Sequence, residues 1–362
     1  MKISIDCRMI EASGVGVYLR GILPFLLNSN NNFLLLGNPA ALESFKSLTN
    51  IEILECNIKT FSPGELFFFP SSLLKKINST SLFFTPFFNI PGGLKIPVFI
   101  TIHDLAFHDV PNLVSKAGLA ARKFFYRRAY NRAKKIFTVS DFSRSRILHH
   151  LGSKKQVIVT YSAIQSFILK GRGSFSTVKK QKNVVFIGNI KKHKGLNILL
   201  DAFLKAKERG LEYKLLIIGE KNNFRTSDKE VMQKIESIDS NDILFTGSIS
   251  PDSLVKLLFE ASLLVQPSLY EGFGLPPLEA MVLGTSALIS DIPVFREIYD
   301  GDFKFPVYFF KSADVDELSN KLIELLHNKE PPTTQLSSAQ LSLYSFEKTA
   351  KIILDEINRE EY

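Results

Sequence analysis

Short apolar runs alternate with segments of helical periodicity along this chain, and that alternation restricts its possible folds more than any other feature. The apolar runs are typical of buried β-strands, and most of them lead into a segment with apolar residues every three or four positions. Strands that alternate with helices indicate parallel sheets with crossover helices. Because 362 residues suffice for two such domains, we predict an α/β protein with two doubly wound domains that face each other across a cleft.

The predicted strands fall into two series. The first series comprises residues 2–6, 33–36, 51–56, 82–85, 98–102, 136–139 and 157–160. The second comprises residues 184–187, 214–218, 243–246, 263–266, 287–290 and 307–309. Ser140 and Ser250 are predicted N-caps, the second followed by a first-turn proline. In the first series we expect a loop over 14–16, a helix from about Val17, and Pro24 at a bend or in the first turn of that helix.

A change in composition separates the two series. The segment GRGSFSTVKKQK, at residues 171–182, is small, polar and basic. We therefore predict a first domain over 1–165, a linker over 166–182 and a second domain over 183–344. A final helix over 345–362 is expected to pack back toward the first domain.

Composition also excludes several classes of protein. Hydrophobic residues make up 45% and charged residues 22% of the chain, which is ordinary for a globular protein and argues against disorder. No apolar run reaches about 18 residues, and the first residues lack the apolar core of a secretory signal. Cys7 and Cys56 are too few for a disulfide framework, so we expect buried thiols in a cytoplasmic protein.

The basic charge is concentrated in the first half of the chain. The net charge is +9, yet residues 1–165 hold 20 Lys and Arg against 9 Asp and Glu, while the rest holds 25 against 27. Residues 115–135 carry eight cations and no acid, with aromatic residues between them. Three interpretations are open: a solvated basic face, a helix on an anionic membrane surface, or a nucleic-acid contact. No nucleic-acid motif accompanies the patch, so we predict no nucleic-acid partner.

Phenylalanine is unusually frequent over residues 61–88. Some of these side chains must belong to the core. An exposed subset would be able to contact lipid.

The segment Glu271-Gly-Phe-Gly-Leu-Pro-Pro-Leu-Glu279 follows the predicted strand 263–266 and carries the most chemical information. Its glycines allow a ligand close to the backbone, and its prolines suit the first turn of a helix. The amides near Gly274 and Leu275 would then face a phosphate or a sugar oxygen, and the two carboxylates would accept hydrogen bonds from hydroxyl groups. An ordinary strand–turn–helix in which Glu279 is a plain helical residue is the alternative.

Residues 245–298, which contain this segment, resemble the donor-binding half of glycosyltransferase family 4, whose members are retaining enzymes of the GT-B fold that use nucleotide sugars. The two glutamates are eight positions apart, as in the Glu-x7-Glu signature of that family. The resemblance implies two Rossmann-like domains. It implies that Glu271 contacts the donor sugar, that Glu279 holds the ribose hydroxyls, and that the sugar and diphosphate meet the amides of Phe273, Gly274 and Leu275.

A second resemblance lies in the loop that begins at Gly188. Residues 188–196 are similar to the family loop whose lysine binds the donor diphosphate, and Lys194 is the matching residue. A lone exposed lysine is the alternative. Many members carry an arginine where this chain has Asn189 or His193, so Lys191 or Lys192 is expected to compensate.

The first half carries two shorter resemblances. Gly14-Val-Gly16 is similar to the family's glycine loop near the donor phosphate, and it lacks the further glycine and the acid of an NAD fingerprint. His103, followed by Asp104 at the end of a predicted strand, is similar to the histidine beside the transferred sugar. The resemblance thus assigns catalytic roles to His103, Lys194 and Glu271.

Asp314-Val-Asp316 has the form of a metal-binding motif from glycosyltransferases of another fold. It precedes leucines at helical spacing, and acids in a first turn favour the helix dipole. We therefore predict a helix start, no metal site and no cofactor beyond the nucleotide-sugar co-substrate.

The resemblance implies a retaining hexosyltransferase. The first-half motifs are most similar to mannosyltransferases that use GDP-mannose, with rhamnosyl, glucosyl or N-acetylglucosaminyl transfer as alternatives. We expect a lipid-linked or polysaccharide acceptor, as in bacterial O-antigen or capsule synthesis, and a peripheral position at the inner face of the plasma membrane. A noncatalytic glycan- or nucleic-acid-binding protein of the same fold is the alternative of another class.

Overall fold

The computed structural model describes residues 1–172, 179–219, 231, 233–235, 241–327 and 332–361. The chain divides into two compact units, each with its own parallel sheet. Unit 1 comprises Met1–His108, Ser115–Ala163 and Tyr344–Tyr362, and unit 2 comprises Asp109–Val114 and Ile164–Leu343. The prediction of two parallel-sheet α/β domains is confirmed.

Unit 1 contains a seven-stranded sheet within the described residues, in the order β3-β2-β1-β4-β5-β6-β7, with every pair parallel. Its strands are β1 (Lys2–Asp6), β2 (Asn32–Gly37), β3 (Ile51–Glu55), β4 (Leu82–Thr85), β5 (Val98–Thr101), β6 (Lys135–Thr138) and β7 (Val157–Val159). The central strands β4 and β5 are buried at every residue, as expected for strands covered on both faces. The chain order reverses between β1 and β4.

The helices of this half of the chain connect those strands. They are α1 (Ser13–Leu27), α2 (Pro63–Leu66), α3 (Ser71–Asn78), α4 (Ala106–Asp109), α5 (Lys116–Arg132) and α6 (Asp141–Leu151), with a 3-10 turn over Ala40–Phe45. The Ser140 hydroxyl accepts the amide hydrogen of Ser143, so the predicted N-cap of α6 is confirmed.

Helix α1 differs from its prediction. It begins at Ser13, so Gly14 and Gly16 lie in its first turn and not in a preceding loop. Pro24 lies in its last turn and not in its first. A proline there removes only one amide donor, the one that would bond to the Arg20 carbonyl, so the helix continues to Leu27.

Unit 2 contains a six-stranded sheet among its described residues, in the order β10-β9-β8-β11-β12-β13, again parallel throughout. Its strands are β8 (Asn183–Ile187), β9 (Lys214–Ile218), β10 (Ile243–Gly247), β11 (Leu263–Gln266), β12 (Ala287–Asp291) and β13 (Val307–Lys311). Here the chain order reverses between β8 and β11, which pair through Val184 and Leu263.

The helices that follow begin mainly at side-chain caps or prolines. They are α7 (Ser166–Gly171), α8 (Leu196–Glu208), α9 (Pro251–Glu260), α10 (Leu275–Val282), α11 (Pro293–Asp300), α12 (Val315–Leu326), α13 (Ser338–Leu343) and α14 (Phe346–Asn358), with 3-10 turns over Lys192–Lys194 and Arg359–Glu361. Ser250 caps α9 through the amide of Ser253, as predicted. Asp314 caps α12 through the amide of Glu317 at 2.9 Å, so the interpretation of this motif as a helix start is confirmed.

The boundary between the two series of strands is not a plain linker. Residues 166–171 form α7, which packs against α9 and α10 and belongs to unit 2. Ile168 is fully buried and Gly171 lies against Val255, so apolar packing orders this stretch. Residues 173–178 of the predicted linker lie outside the described residues.

The C-terminal helix α14 belongs to unit 1, where it packs on α1. Phe346, Ala350, Ile353 and Ile357 are its buried apolar residues. The Thr349 hydroxyl donates to the Thr160 carbonyl at 2.7 Å, which fixes the helix against the loop after β7.

Both cysteines are buried and unpaired, as the sequence predicts. Burial is the main reason that the pKa of Cys7 is raised well above its ordinary value. None of the helices in the described part of the chain has the length and hydrophobicity needed to cross a bilayer.

Candidate active site

The reversal of strand order in unit 2 marks the place where a ligand is expected. In open parallel sheets, ligands bind outside the carboxyl ends of the two strands between which the order reverses. In unit 2 these strands are β8 and β11. The loop after β8 carries Lys194 and the loop after β11 carries Glu271, so both predicted residues leave the sheet at this point.

Backbone contacts hold these two loops together. Gly195 has a left-handed φ of 68°, and a Cβ on it would lie 2.0 Å from the Pro267 carbonyl oxygen. The carbonyl of His193 accepts the amide hydrogen of Leu269 at 2.8 Å. Only glycine fits at position 195, and the position of Lys194 between these contacts is set by the backbone.

Lys194 and Glu271 form an ion pair. The Lys194 ammonium donates to both carboxylate oxygens of Glu271, at 2.7 Å to Oε1 and 2.6 Å to Oε2. The side chains are 22% and 8% exposed, so this charge-assisted contact is only partly screened by water. The interpretation of Lys194 as a lone exposed loop lysine is therefore wrong.

Glu271 has further polar support that sequence reasoning missed. The Ser268 hydroxyl donates to Glu271 Oε1 at 2.8 Å, and the Gln266 amide donates to the Ser268 hydroxyl at 3.0 Å. Ser268 and Gln266 are fully buried, and the Ser290 hydroxyl donates to the Ser268 carbonyl. The available signal was position, since Ser268 lies three residues before Glu271, within the stretch 245–298 that resembles the family.

His193 stands where many family members carry an arginine, and it is neutral. Burial, together with the charges of Lys194 and Lys191, lowers its pKa to about 3. Its Nδ1 is buried without a hydrogen-bond partner in the described part of the chain. The imidazole therefore adds no positive charge to the site, whereas Lys192 is exposed in the same loop.

Gly188 directly follows β8 and lies against the carboxyl end of β9. Its amide donates to the Ile218 carbonyl at 3.0 Å, and a Cβ on Gly219 would lie 2.3 Å from the Gly188 oxygen. These contacts bring the carboxyl ends of β8 and β9 into direct backbone contact.

The glycine turn before α10 is fixed by packing. Gly274 has a φ of 88°, and a Cβ there would lie 2.3 Å from a ring carbon of Phe295. The Tyr299 hydroxyl donates to the Gly274 carbonyl. Because Pro276 and Pro277 have no amide hydrogen, the donors at this helix start are concentrated around Leu275.

Glu279 lies one turn into α10 and has a different partner from Glu271. It is 4% exposed and accepts a 2.9 Å hydrogen bond from the side-chain amide of Gln165. Burial raises the pKa of Glu279, and the hydrogen bond from Gln165 opposes that rise. A buried carboxylate with one polar partner is not an ordinary solvent-facing helix residue. Gln165 precedes α7, and nothing in its local sequence marked it.

His103 follows β5 in unit 1 and is held by its ring. Its Nε2 lies 2.8 Å from the Pro86 carbonyl oxygen, which places the ring proton on that nitrogen. Its ring packs edge-on against Tyr18 with centroids 4.8 Å apart. Burial lowers the pKa of His103, so the imidazole is neutral at pH 7.

The two predicted glycines at the start of α1 have different surroundings. A Cβ on Gly16 would lie 2.5 Å from the Ile10 carbonyl oxygen. A Cβ on Gly14 would have no atom within 4 Å. Packing therefore requires glycine at position 16, whereas it does not at position 14.

A buried charge cluster at the carboxyl end of β1 was not expected from the sequence. The Arg8 guanidinium lies 2.6 Å from carboxylate oxygens of both Asp6 and Glu65, and these side chains are at most 3% exposed. The Asn89 side chain donates to Asp6 at 2.8 Å and to Glu65 at 3.1 Å. The cluster ties the loops after β1 and β4 together where the strand order of unit 1 reverses.

No group of three or more His, Cys, Asp or Glu side chains within the described ranges is arranged to hold a metal ion. Asp314 of the Asp-x-Asp motif is engaged as a helix cap, as described above.

Comparison with known proteins finds two family matches. Residues 170–340 match the family described as Glycosyl transferases group 1, and residues 77–165 match the one described as Glycosyltransferase Family 4. Two stretches of this chain therefore carry glycosyltransferase family domains. Lys194, Glu271 and Glu279 fall within the first match, and His103 falls within the second.

Two curated proteins that are similar to this chain are O-antigen chain mannosyltransferases by name. The O-antigen chain mannosyltransferase RfbU of Salmonella typhimurium is 28% identical over 55% of this chain and 53% of its own length. The O-antigen chain mannosyltransferase B of Escherichia coli is 28% identical over 67% of this chain and 64% of its own length. The matched region therefore spans between half and two thirds of these relatives.

Among solved structures, Anabaena HepE in complex with UDP and glucose has a TM-score of 0.71 and 16% identity to this chain. The alignment covers 99% of this chain and 100% of that one. At this identity the likeness establishes the fold.

Proposed function

We propose that this protein transfers a hexosyl group from a nucleoside diphosphate sugar to an acceptor hydroxyl, with retention at the anomeric carbon. The observation that carries the proposal is the Lys194–Glu271 ion pair, which lies where the strand order of unit 2 reverses. A cation and a hydrogen-bonded carboxylate at that place suit a diphosphate and a sugar. The UDP and glucose in the HepE complex support a nucleotide-sugar donor.

The proposed chemistry begins with an exchange of partners. In the donor complex the Lys194 ammonium moves from Glu271 to the diphosphate, and Glu271 then accepts hydrogen bonds from the sugar hydroxyls. The amides of Phe273, Gly274 and Leu275 bind the sugar and diphosphate. Glu279 accepts hydrogen bonds from the ribose.

The bond between the anomeric carbon and the diphosphate oxygen then breaks, and the electron pair leaves with the phosphate. Lys194 and the backbone amides stabilise that leaving charge in place of a metal ion. The acceptor oxygen forms its bond on the face from which the diphosphate departs, and its proton passes to a leaving phosphate oxygen.

In unit 1 we propose that the glycines at the start of α1 approach the donor phosphate and that His103 lies beside the transferred sugar. His103 is neutral and its orientation is fixed by Pro86 and Tyr18. A neutral, fixed imidazole suits hydrogen bonding to a sugar hydroxyl better than proton transfer at pH 7.

For the donor we propose GDP-mannose, because two curated relatives are O-antigen chain mannosyltransferases. Rhamnosyl, glucosyl and N-acetylglucosaminyl donors are the rivals. For the acceptor we propose a lipid-linked glycan, which the enzyme reaches from the cytoplasmic face of the membrane as a peripheral protein.

A panel of nucleotide sugars tests this proposal. The purified protein is incubated with GDP-mannose, UDP-glucose, UDP-N-acetylglucosamine and dTDP-rhamnose, each with a lipid-linked oligosaccharide acceptor and with a chelator present. We expect nucleotide release and product only or mainly with GDP-mannose, and NMR of the product should show the anomeric configuration of the donor. If none of the four nucleotide sugars is turned over, the result would support a noncatalytic binding protein.

A further inference from the structure

Two adjacent phenylalanines of unit 1 are almost fully in water. Phe67 and Phe68 are 74% and 76% exposed, and their rings contact each other between α2 and α3. The next residue, Phe69, is only 7% exposed, and the Arg8 guanidinium lies 5.7 Å from its ring centroid. The segment is therefore anchored at its base while two large apolar rings face outward, an arrangement typical of a docking surface.

Helix α5 carries an excess of positive charge that no salt bridge in the described residues neutralises. Lys134 and Lys135, just after the helix, pair with Glu360 and Glu356. Within the described ranges, none of the cations of α5 itself forms a salt bridge. These cations are Lys116, Arg122, Lys123, Arg127, Arg128 and Arg132.

Neutral carbonyl groups hold three of the arginines of α5 in place. Arg128 donates to the Ile90 carbonyl at 2.8 Å, and Arg132 donates to the Leu94 carbonyl at 2.6 Å. Arg127 donates to the Leu151 carbonyl. Because a carbonyl carries no net charge, these bonds fix the guanidinium groups without neutralising them.

The exposed phenylalanines and α5 lie on adjoining parts of one surface. The Gly92 amide donates to the Glu65 carbonyl at 2.8 Å, so residues 90–92 lie against the turn that leads into Phe67. The same stretch receives Arg128 of α5 at Ile90. Phe124 on α5 is 53% exposed and continues the apolar area on the helix itself.

The geometry points to a membrane-docking surface made of Phe67, Phe68, Phe124 and the cations of α5, whose occupant is a bilayer rich in anionic phospholipid. Apolar rings enter the interface between headgroups and acyl chains, while Lys and Arg contact the anionic headgroups. Charge complementarity argues for this occupant, since no acid interrupts residues 115–135. The inference deepens the proposed function because it gives the enzyme a route to a lipid-linked acceptor.

Vesicle binding by the full-length protein tests the docking surface. The probes are phosphatidylcholine vesicles with and without phosphatidylglycerol, with binding measured by co-sedimentation at several salt concentrations. We expect at least tenfold tighter binding to the anionic vesicles at low salt, with a decrease as salt is added. Equal binding to both kinds of vesicle, or none to either, would overturn the inference.

Two surface variants distinguish the apolar from the ionic contribution to vesicle binding. Phe67→Ser with Phe68→Ser should weaken binding at least tenfold at every salt concentration. Lys116→Gln with Lys123→Gln should weaken it about tenfold or more at low salt and little at high salt. Matched controls in other parts of the chain are Phe303→Ser, at a side chain 46% exposed, and Lys304→Gln with Lys351→Gln, which should bind like the wild type.

A failure here is distinguishable from a failure of the proposed function. The Phe67 and Phe68 double variant should keep wild-type turnover with a short water-soluble acceptor and lose it mainly with vesicle-bound acceptor. If the protein transfers sugar but none of the variants changes vesicle binding, the docking surface is overturned and the proposed function is not. A further outcome is tight binding of random-sequence RNA or DNA that is lost in the phenylalanine variant. That result would assign the surface to nucleic acid and overturn the membrane-docking inference.

Discussion

Glu271 accepts three hydrogen bonds from side chains in the described part of the chain. Both of its oxygens accept from Lys194, and one also accepts from Ser268. At 8% exposure of the Glu271 side chain, these donors offset the cost of burying a carboxylate. If Lys194 binds a diphosphate instead, Glu271 loses two hydrogen bonds and needs other hydrogen-bond donors. The hydroxyl groups of a sugar can supply them. If the proposed exchange of partners occurs, we expect tighter binding of an intact nucleotide sugar than of a free diphosphate.

Replacing Ser268 tests whether the orientation of Glu271 matters for the reaction. Ser268→Ala removes one hydrogen bond to a charged group, which is worth about 1.5–3 kcal/mol. We expect kcat to fall about tenfold to a hundredfold while KM changes less than threefold. Steady-state kinetics with the best donor measures both constants.

Ser268→Thr is the matched control for this change. Threonine keeps the hydroxyl, so it should restore most of kcat. A kcat for Ser268→Ala within twofold of the wild type, or a threonine variant as impaired as the alanine one, would show that Ser268 does not position Glu271.

Glu279 links stability to pH at the residue scale. Burial raises its pKa above the ordinary value of 4.5, so the folded protein holds this proton more tightly than the unfolded chain. The stability that it contributes is complete below the unfolded pKa and is lost as the pH rises through the folded pKa. Glu279→Gln keeps an acceptor for Gln165 without the ionisation, so it should raise Tm at pH 7 by roughly 2–4 °C.

The same substitution should weaken binding of the nucleotide about tenfold, because a neutral amide accepts hydrogen bonds from ribose less strongly than a carboxylate does. Thermal melts from pH 4 to pH 8 and calorimetric titration with GDP measure the two effects. A Tm difference that stays constant over that pH range would contradict the account of Glu279.

At this scale the sequence identified side chains but not their partners. Glu271 and Lys194 stood out because each lies in a segment that resembles a family motif. Gln165 and Ser268 were not, since their value comes from the fold that brings them to Glu279 and Glu271. The Arg8 cluster escaped notice for the same reason, because its second acid, Glu65, lies 57 positions away.

At the scale of elements, strands and caps were the most predictable features. A buried parallel strand needs a short apolar run, and a cap needs one side chain beside one amide, so both are local. Ser140, Ser250 and Asp314 illustrate this. The start of α1 was misplaced because glycines suggest a loop, while here Gly16 is required by its close approach to Ile10. Residues 166–171 likewise form helix α7 because of their packing, which the composition of the segment did not indicate.

Substitution of the two glycines of α1 distinguishes a glycine that packing requires from one that ligand binding requires. Gly14→Ala has room for its Cβ and should leave stability unchanged or raise it by about 0.5–1 kcal/mol. If Gly14 approaches the donor phosphate as proposed, the added methyl group should weaken nucleotide binding about tenfold or more. Denaturant unfolding and titration with GDP measure the two effects.

Gly16→Ala is the comparison, since its Cβ would meet the Ile10 oxygen. It should lower the free energy of unfolding by about 1–3 kcal/mol. Wild-type nucleotide affinity in Gly14→Ala would remove Gly14 from the proposed donor site.

At the scale of the whole molecule, unit 1 is assembled from separate stretches of chain. Its sheet comes from the first half of the sequence, and its helix α14 comes from the C-terminus. Only the family resemblance predicted that α14 packs on the first domain, because the apolar spacing of a helix does not show which surface the helix covers. The contact depends on glycine, since a Cβ on Gly21 would lie 2.3 Å from the Phe346 ring.

Gly21→Val tests the contribution of this contact. The larger side chain should separate α14 from α1 and lower the free energy of unfolding by about 1–3 kcal/mol. Denaturant unfolding measures the loss, and Gly64→Ala is the control because its Cβ would make only ordinary contacts. Equal stability of Gly21→Val and the wild type would show that α14 contributes little to unit 1.

The central claim is that Lys194 and Glu271 serve the reaction and not merely the fold, and turnover measured beside stability tests it most directly. For the best donor of the panel we expect kcat/KM to fall at least a hundredfold in Lys194→Ala and in Glu271→Gln. Lys214→Ala, at the amino end of β9, is the control and should match the wild type. Both site variants should unfold within a few degrees of the wild type. Turnover within a few-fold of wild type in the two folded variants would contradict the account.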